Sequence, residues 1–490
     1  MHWYIMCERN LSEIGAMCMK KISKKEFDIY VGFERKSLVF MFADEVSWYT
    51  NADNTLFATI LFCFTDKDYN PIFLQRDKNR KVKHLDNDIS FKTIEEAEAW
   101  INNTERDALS GKIKLSNTNT DKAGVDLFNI TVPEQKLHPY FKALNNMPAH
   151  SAAKKLINEI TPYFIDIDGN YVKQFQTNGF NSRLWELYLF NYFREEGLDI
   201  NREYEAPDYV VSNDQTSVAV EAAIVENKTP YKDINVQKQP EYVNVEKETA
   251  NKLPLNYSSQ LYTKLMHKNK NNDLHYWQYA HTKGKPFVIA IADFHDTFAM
   301  NISTTALINY LYGVQHSSYH DDNGELVIVT EKIQSYVKGN GKEVSPGYFF
   351  LPGAENISAI IHSASGTLSK FDRIGKQCGF DTSNTIMQRV VTVYNPEPNA
   401  DKPLLLEYIV DETCNETWAE GISVYHNPNA LHPLPVDFFP SASQNFFIDG
   451  KIMTENAQNH VYSSYTYLFT PTYESENASE VAPHEFKIQN

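Results

Sequence analysis

Three acidic residues, Glu186, Asp208 and Glu221, fall one on each of three successive elements predicted between Asn178 and Val225. Asp208 follows Pro207 at the start of the alternating Tyr209-Val210-Val211, and Glu221 sits inside the apolar run Ser217 to Ile224. The turn residues Ser212-Asn213-Asp214-Gln215-Thr216 join these two runs as a pair of strands. Neighbouring strands lie about 5 Å apart, so both carboxylates can face one point. Hard oxygen ligands at that separation, helped by Glu186 from the preceding helix, suit Mg²⁺ or Mn²⁺, which take carboxylates plus waters.

The helix that must position Glu186 is capped by Asn181 or Ser182. It is apolar nearly all round, through Leu184, Trp185, Leu187, Tyr188, Leu189, Phe190, Tyr192 and Phe193. Leu189, Phe190 and Phe193 share the face of Glu186, so its carboxylate is costly to desolvate unless a cation or strong donor meets it. A metal ion and an ion pair with a neighbouring Arg or Lys stand level as that partner.

A helix Glu, then Pro207-Asp208, then thirteen residues to an acid in an apolar strand resembles the PD-(D/E)xK nuclease superfamily, the restriction-endonuclease-like fold. The resemblance implies a metal-dependent hydrolase of phosphodiester bonds in DNA or, as second choice, RNA. Asp208 and Glu221 would hold the metal, and Glu186 would complete its shell or orient the water. The family's last element is (D/E)-x-K, whereas this chain has Glu221-Ala222-Ala223 and lacks the lysine that polarises water and phosphate. Some members carry that lysine on the following helix. Lys264 is the expected replacement, with Lys228 and Lys252 in reserve and an idle surface lysine as the alternative for each.

The order of elements extends the resemblance. A helix from about Ser258 to Lys268 precedes the apolar strand Phe287 to Ala292, which ends in Asp293-Phe294-His295-Asp296. Helix, three-strand meander, helix, strand predicts an α+β or α/β core, with a mixed, partly parallel sheet flanked by helices on both sides. The stretches QFQTNGFNSRLWELYLF, KPFVIAIADFH, SAIIHSASGTLSKFDRIG and VYHNPNALHPLP are also similar to a family of uncharacterised bacterial proteins over residues 130 to 440. That likeness implies a bacterial source and one shared architecture, and brings no activity.

Around this core, residues 1–130 predict an α+β module for recognition or packing. Its expected strands are Ile29 to Phe33, Ser37 to Phe42, Glu45 to Tyr49, Leu56 to Phe64 and Ile72 to Leu74, and Thr93-Ile94-Glu95-Glu96 is a capping box that opens a helix. Residues 131–375 form the nuclease-like region, with a charged insertion at 226–255, and residues 376–490 a β-rich C-terminal region. In Phe164 to Val172 the glycine of D-x-D-G-N stands fourth rather than sixth, which argues against an EF-hand and for a hairpin turning at Asp168-Gly169. Gln174 and Gln176 share one face just before the Glu186 helix, where they touch substrate or bond locally. Gln176 and Lys268 are the expected substrate-binding residues. His426, His432 and Asp437 offer a metal or acid-base site and hence a third, different hydrolase reading, though their prolines and asparagines favour a structured loop.

At 490 residues, 42% hydrophobic and 13% aromatic, the chain is long and apolar enough for two or three globular domains. Cysteines at 7, 18, 63, 378 and 414 form no C-x-x-C, so neither a disulfide framework nor a zinc site is indicated. The N-terminus lacks a signal pattern, and the longest apolar run, Leu56 to Phe64, falls short of the roughly 18 residues of a membrane span. A cytoplasmic protein with no membrane partner is expected. The net charge of −17 argues against indiscriminate nucleic-acid binding, so a nuclease needs a local basic surface. Lys78 to His84, or Lys264 with Lys268 and Lys270, would supply it. The expected partner is nucleic acid, DNA first; a homodimer or a partner protein stays open. The rival expectation, argued by the missing lysine, is a catalytically inactive nuclease-like fold that binds nucleic acid or protein; the three carboxylates oppose it. Bacterial restriction or anti-phage defence is the usual employment of the fold, by analogy.

Overall fold

The computed structural model describes residues 19–35, 37–115, 122–226, 248–295, 299–458 and 460–469. It begins with β1 (Lys20–Lys21), α1 (Lys24–Val31), β2 (Ala43–Thr50), β3 (Leu56–Cys63), β4 (Tyr69–Arg76), β5 (Val82–Asn87) and α2 (Ile94–Leu109). β1 to β5 pair in sequential antiparallel order. The capping box of α2 forms as expected: Glu96 N donates to Thr93 Oγ1, and Thr93 N donates to the Glu96 carboxylate.

Two expected strands of this module are corrected. Ile29 to Val31 belongs to α1, and Ser37–Met41 is a 3₁₀ turn. Ser23 caps α1 by accepting from Glu26 N, and Phe27, Tyr30 and Val31 then meet the core at helical spacing. A short apolar run has no period long enough to tell strand from helix.

Next come α3 (Pro139–Asn146), α4 (Ser151–Ile160), α5 (Tyr171–Gln176) and α6 (Phe180–Glu195). The hairpin expected at Asp168-Gly169 is a helix start instead. The Asp166 carboxylate accepts from Gly169 N at 3.1 Å and Tyr171 N at 3.0 Å, and so opens α5. Every residue of α6 from Leu184 to Phe193 is buried. One side meets the large sheet, where Trp185 Nε1 donates to Ala290 O at 3.0 Å; the other meets the N-terminal module, where Phe190 stacks on Phe33. A helix covered on both sides must be apolar nearly all round.

The remaining strands and helices are β6 (Asp199–Asn201), β7 (Tyr209–Ser212), β8 (Ser217–Glu226), α7 (Leu253–Met266), β9 (Phe287–Phe294), α8 (Ala299–Tyr312) and the hairpin β10 (Val314–His320) with β11 (Leu326–Lys332). Then follow β12 (Tyr336–Val337), β13 (Glu343–Val344), β14 (Ala359–Ser363), α9 (Leu368–Gln377), β15 (Ile386–Val393) and β16 (Leu404–Ile409). The last are β17 (Ile422–His426), β18 (Ser443–Ile448), β19 (Lys451–Glu455) and β20 (Val461–Phe469). The central sheet has eight strands in the order β19-β18-β17-β14-β9-β8-β7-β6. β6, β7 and β8 form the antiparallel meander, while β8, β9 and β14 run parallel.

Helices cover both faces. α7 and α8 pack through Leu261 and Leu307 on Ala219 and Ile289; α6 and α9 pack through Trp185 and Phe371 on Val220 and Ala290. The fold is thus mixed α and β.

Two boundaries shift. β17, β18 and β19 complete the central sheet, so residue 375 does not end it. The rest of the C-terminal region forms a three-stranded sheet ordered β16-β15-β20. Residue 130 separates two sheets but not two cores, because Tyr30, Phe57 and Leu74 share one apolar cluster with Leu156 and Phe190. Among the described residues no helix is long and apolar enough to cross a membrane.

Candidate functional site

The meander sets the register of the site. Tyr209 pairs with Val220, which puts Asp208 across from Glu221. Asp208 N donates to Glu221 Oε2 at 3.3 Å, and Ala222 N donates to Asp208 Oδ2 at 2.8 Å. Asp208 is half-buried and Glu221 is 6% exposed. Strand alternation sends the Glu221 side chain to the same face as Ala219 and Ala223, the face covered by α7.

From α7, Lys264 reaches Glu221: its Nζ donates to Glu221 Oε1 at 2.6 Å. Leu261 and Leu265 bury that side of the helix, and Lys264 lies between them with its ammonium on the carboxylate. Tyr276 closes the group, with its ring 5.9 Å from Lys264 Nζ and its hydroxyl on Glu221. Burial and the Asp208 charge push Glu221 up to about 7, against the pull of Lys264 and Tyr276. Burial disfavours the Lys264 ammonium, yet Glu221, Asp208 and Glu186 hold it above its ordinary range. Of the reserve lysines, Lys252 is exposed and paired with Glu248 at 3.0 Å, and Lys228 lies outside the described residues.

Glu186 takes the ion-pair alternative. Arg183 Nη1 donates to its Oε1 at 2.6 Å and Arg202 Nη2 to its Oε2 at 3.4 Å. Burial and Asp208 push its carboxyl up to about 8, against both arginines. Tyr209 ties it to the meander by donating to the Glu186 carbonyl at 2.7 Å, and Arg202 donates to that same hydroxyl at 2.8 Å. Tyr209 belongs to the α6 face of the sheet, opposite the α7 face that receives Glu221. The Glu186 carboxylate is thus taken up by Arg183 and Arg202, while its charge still acts on Lys264. Among the described residues the one group of three His, Cys, Asp or Glu whose ligand atoms all lie within 4.8 Å is Cys63, Asp66 and Asp68, at the β3–β4 turn.

Other expected site residues have different employment. Gln176 is fully buried, and its amide is consumed: Nε2 donates to Leu127 O and Asn129 O at 3.0 and 2.7 Å, and Oε1 accepts from Thr131 N and Oγ1. It anchors the preceding segment rather than facing a substrate. Gln174 points elsewhere and accepts from Arg183, as two residues on a helix must, because the period is 3.6 and not 2. Lys268 is exposed and paired with Asp273 at 2.8 Å. In the basic run Lys78 to His84, Arg80 donates to Asn158, Lys83 pairs with Glu34 and Lys81 is buried, while Lys78 and His84 are exposed.

His426 Nε2 meets Gln444 Oε1 at 2.8 Å and its ring stacks on Phe446, whereas His432 and Asp437 are exposed. These residues form no ligand group of that kind among the described residues.

Sequence reasoning missed Arg183, Arg202 and Tyr276. Arg183 had a signal, since it precedes Glu186 by one helical turn. Arg202 and Tyr276 come from other elements, and nothing in their local sequence marks them. The chain matches no known family model, no curated protein and no solved structure.

Proposed function

We propose that this chain is a metal-dependent phosphodiesterase acting on DNA, with RNA as the second substrate, built on a PD-(D/E)xK-like core. The observation that carries the reading is the Asp208, Glu221 and Lys264 group. It joins two carboxylates at one level of a hairpin to an ammonium supplied by the helix that follows, where the motif's own lysine is missing. The order α6, meander, α7 and parallel β9 supports the same fold reading.

Asp208 and Glu221 would hold Mg²⁺ or Mn²⁺. They are hard oxygen donors, one of them half-exposed, and burial with mutual repulsion leaves Glu221 short of positive charge. Such an ion supplies a water of lowered pKa and charge for the phosphoryl oxygens. Lys264, which stands on Glu221, would donate to a non-bridging phosphate oxygen as charge grows there. Glu186 acts through structure: with Arg183, Arg202 and Tyr209 it fixes the start of the meander, and so the position of Asp208. Use in bacterial restriction or anti-phage defence follows by analogy with the fold's usual employment.

A second reading, an inactive nuclease-like component that binds nucleic acid or protein, has one observation in its favour. The Lys264–Glu221 pair and the two arginines on Glu186 give both carboxylates partners from within the chain. Incubation with plasmid, single-stranded DNA and RNA, in Mg²⁺, Mn²⁺ or EDTA, separates the two. The enzyme reading expects metal-dependent cleavage that disappears in Asp208→Ala and Glu221→Ala. A folded protein that cuts none of the three substrates in either metal favours the binding component.

A further inference from the structure

β9 and β14 are adjacent and parallel, and the chain leaves them toward opposite faces of the sheet. β9 leads to α8 on the α7 face, and β14 leads to α9 on the α6 face. Such a divergence opens a crevice beyond the carboxyl ends of the two strands, where open α/β sheets bind their ligands. Here the crevice is a cavity of about 340 Å³, with Phe180, Leu184, Phe294, Met300 and Leu368 among its apolar lining. β8 ends nearby at Glu226, whose carboxylate accepts from the cavity residue Asn181 at 2.8 Å. Glu226 lies five residues past Glu221, about 16 Å along a strand. The cavity and the Asp208–Glu221 group are separate places.

The polar groups of the cavity are arranged to donate. His150 Nδ1 is held by Asp372 Oδ2 at 2.7 Å, and Asp372 is fully buried. The other ring nitrogen of His150 has no partner among the described residues. From β20, which also lines the cavity, Ser464 Oγ accepts from Arg389 Nε at 2.8 Å and Thr466 Oγ1 from Arg373 Nη1 at 2.7 Å. Each hydroxyl thus accepts from a buried guanidinium and keeps its own proton to give.

Those guanidiniums, with Lys370, face Glu416 and Glu420: three cations against two carboxylates behind this wall. Ser369, in the first turn of α9, is half-exposed and makes no side-chain hydrogen bond among the described residues. The one acid in the lining, Asp293, is already satisfied. Its Oδ1 accepts from His295 N and meets His295 Nδ1 at 2.6 Å, and its Oδ2 accepts from Ser303 at 2.6 Å and Tyr257 at 3.4 Å.

We propose that this crevice binds a small molecule carrying one anionic group, carboxylate or phosphate, on an apolar or aromatic body. His150, Ser464 and Thr466 meet the anion, and the rings of Phe180 and Phe294 meet the body. Burial works against a charged His150, yet Asp372 holds its imidazolium above the ordinary range, which adds to the positive field. A cavity of this size with few convergent donors in an apolar lining is the usual build of a small-molecule site.

Calorimetric titration of the full chain at neutral pH with phenyl phosphate, benzoate and uncharged benzyl alcohol tests this. At least one anion is expected to bind saturably and tenfold or more tightly than benzyl alcohol. Phenyl phosphate alone would identify a phosphate reader, and benzoate a carboxylate reader. His150→Gln is expected to lose the anion preference. Because that change disturbs buried Asp372, Ser369→Trp serves as the second variant. It enlarges a half-exposed, unbonded side chain into the cavity and is expected to weaken binding tenfold or more at an unchanged melting temperature. No saturable binding of either anion, equal binding of benzyl alcohol, or unaltered affinity in Ser369→Trp would each overturn the proposal.

Discussion

Two groups of buried charges lie on this scaffold and are balanced in opposite ways. Glu416 receives Arg373 on both oxygens at 2.7 Å, with Lys370 and Arg389 at 3.5 and 3.4 Å. Burial alone would raise its carboxyl, but the three cations overcome that and pull it down to about 2. At the meander the balance is reversed. Burial and Asp208 push Glu186 up to about 8 and Glu221 up to about 7, in spite of two arginines and a lysine. A matched cluster is a structural brace, whereas the proposed cation would sit where a carboxylate is left short of positive charge.

The largest expected effect is on the brace. Glu416→Ala leaves buried Arg373 and Lys370 without their carboxylate and Arg389 with Glu420 alone, and should cost about 3–5 kcal/mol in urea unfolding. Unfolding unchanged within error would mean that the cluster is not a brace. Next in size is the dependence on pH. The folded-state value of Glu416 lies below its unfolded value near 4.5, so its stabilisation is complete above about pH 4.5 and is lost as pH falls through about 2. Glu186 has the opposite sign. Its folded-state value is raised, so its contribution is complete below about pH 4.5 and is lost as pH rises through about 8. Glu416→Gln should flatten the acid limb of the stability profile and Glu186→Gln the alkaline limb, both measured in EDTA.

Lys264→Met sharpens the comparison from the side of function. It should lower cleavage on the order of 100-fold, the cost of losing one donor to developing charge. Equal activity with the variant would make Lys264 a mere counter-ion. The smallest change in stability is expected from Asp208→Asn, which keeps an acceptor for Ala222 N and removes the charge that raises both glutamates. Its urea midpoint should stay level or rise, while cleavage is lost.

The meander was legible because its information is local. Pro207-Asp208, a polar turn and an apolar return strand fix which residues face each other, and the element order that follows leads to Lys264. The partners of Glu186 were legible only in part. Arg183 is one helical turn away, but Arg202 arrives from just past β6 by tertiary packing. The full width of the sheet was hidden because β17 joins β14 only after the excursion through β15 and β16, a non-local pairing without a local signature. α5 and α1 were misread where a short run carries too few residues to show a period. The His150–Asp372 pair joins residues from α9 and the turn before α4, far apart in the chain, and no motif spacing announces it.

Titration of Mn²⁺ into protein freed of metal, followed by calorimetry, tests most directly whether the meander is a cation site and the Glu416 cluster is not. The account predicts one saturable site that is lost in Asp208→Asn and in Glu221→Gln and persists in Glu416→Gln. Binding that survives both meander variants, or no binding to the folded wild-type chain, would contradict it.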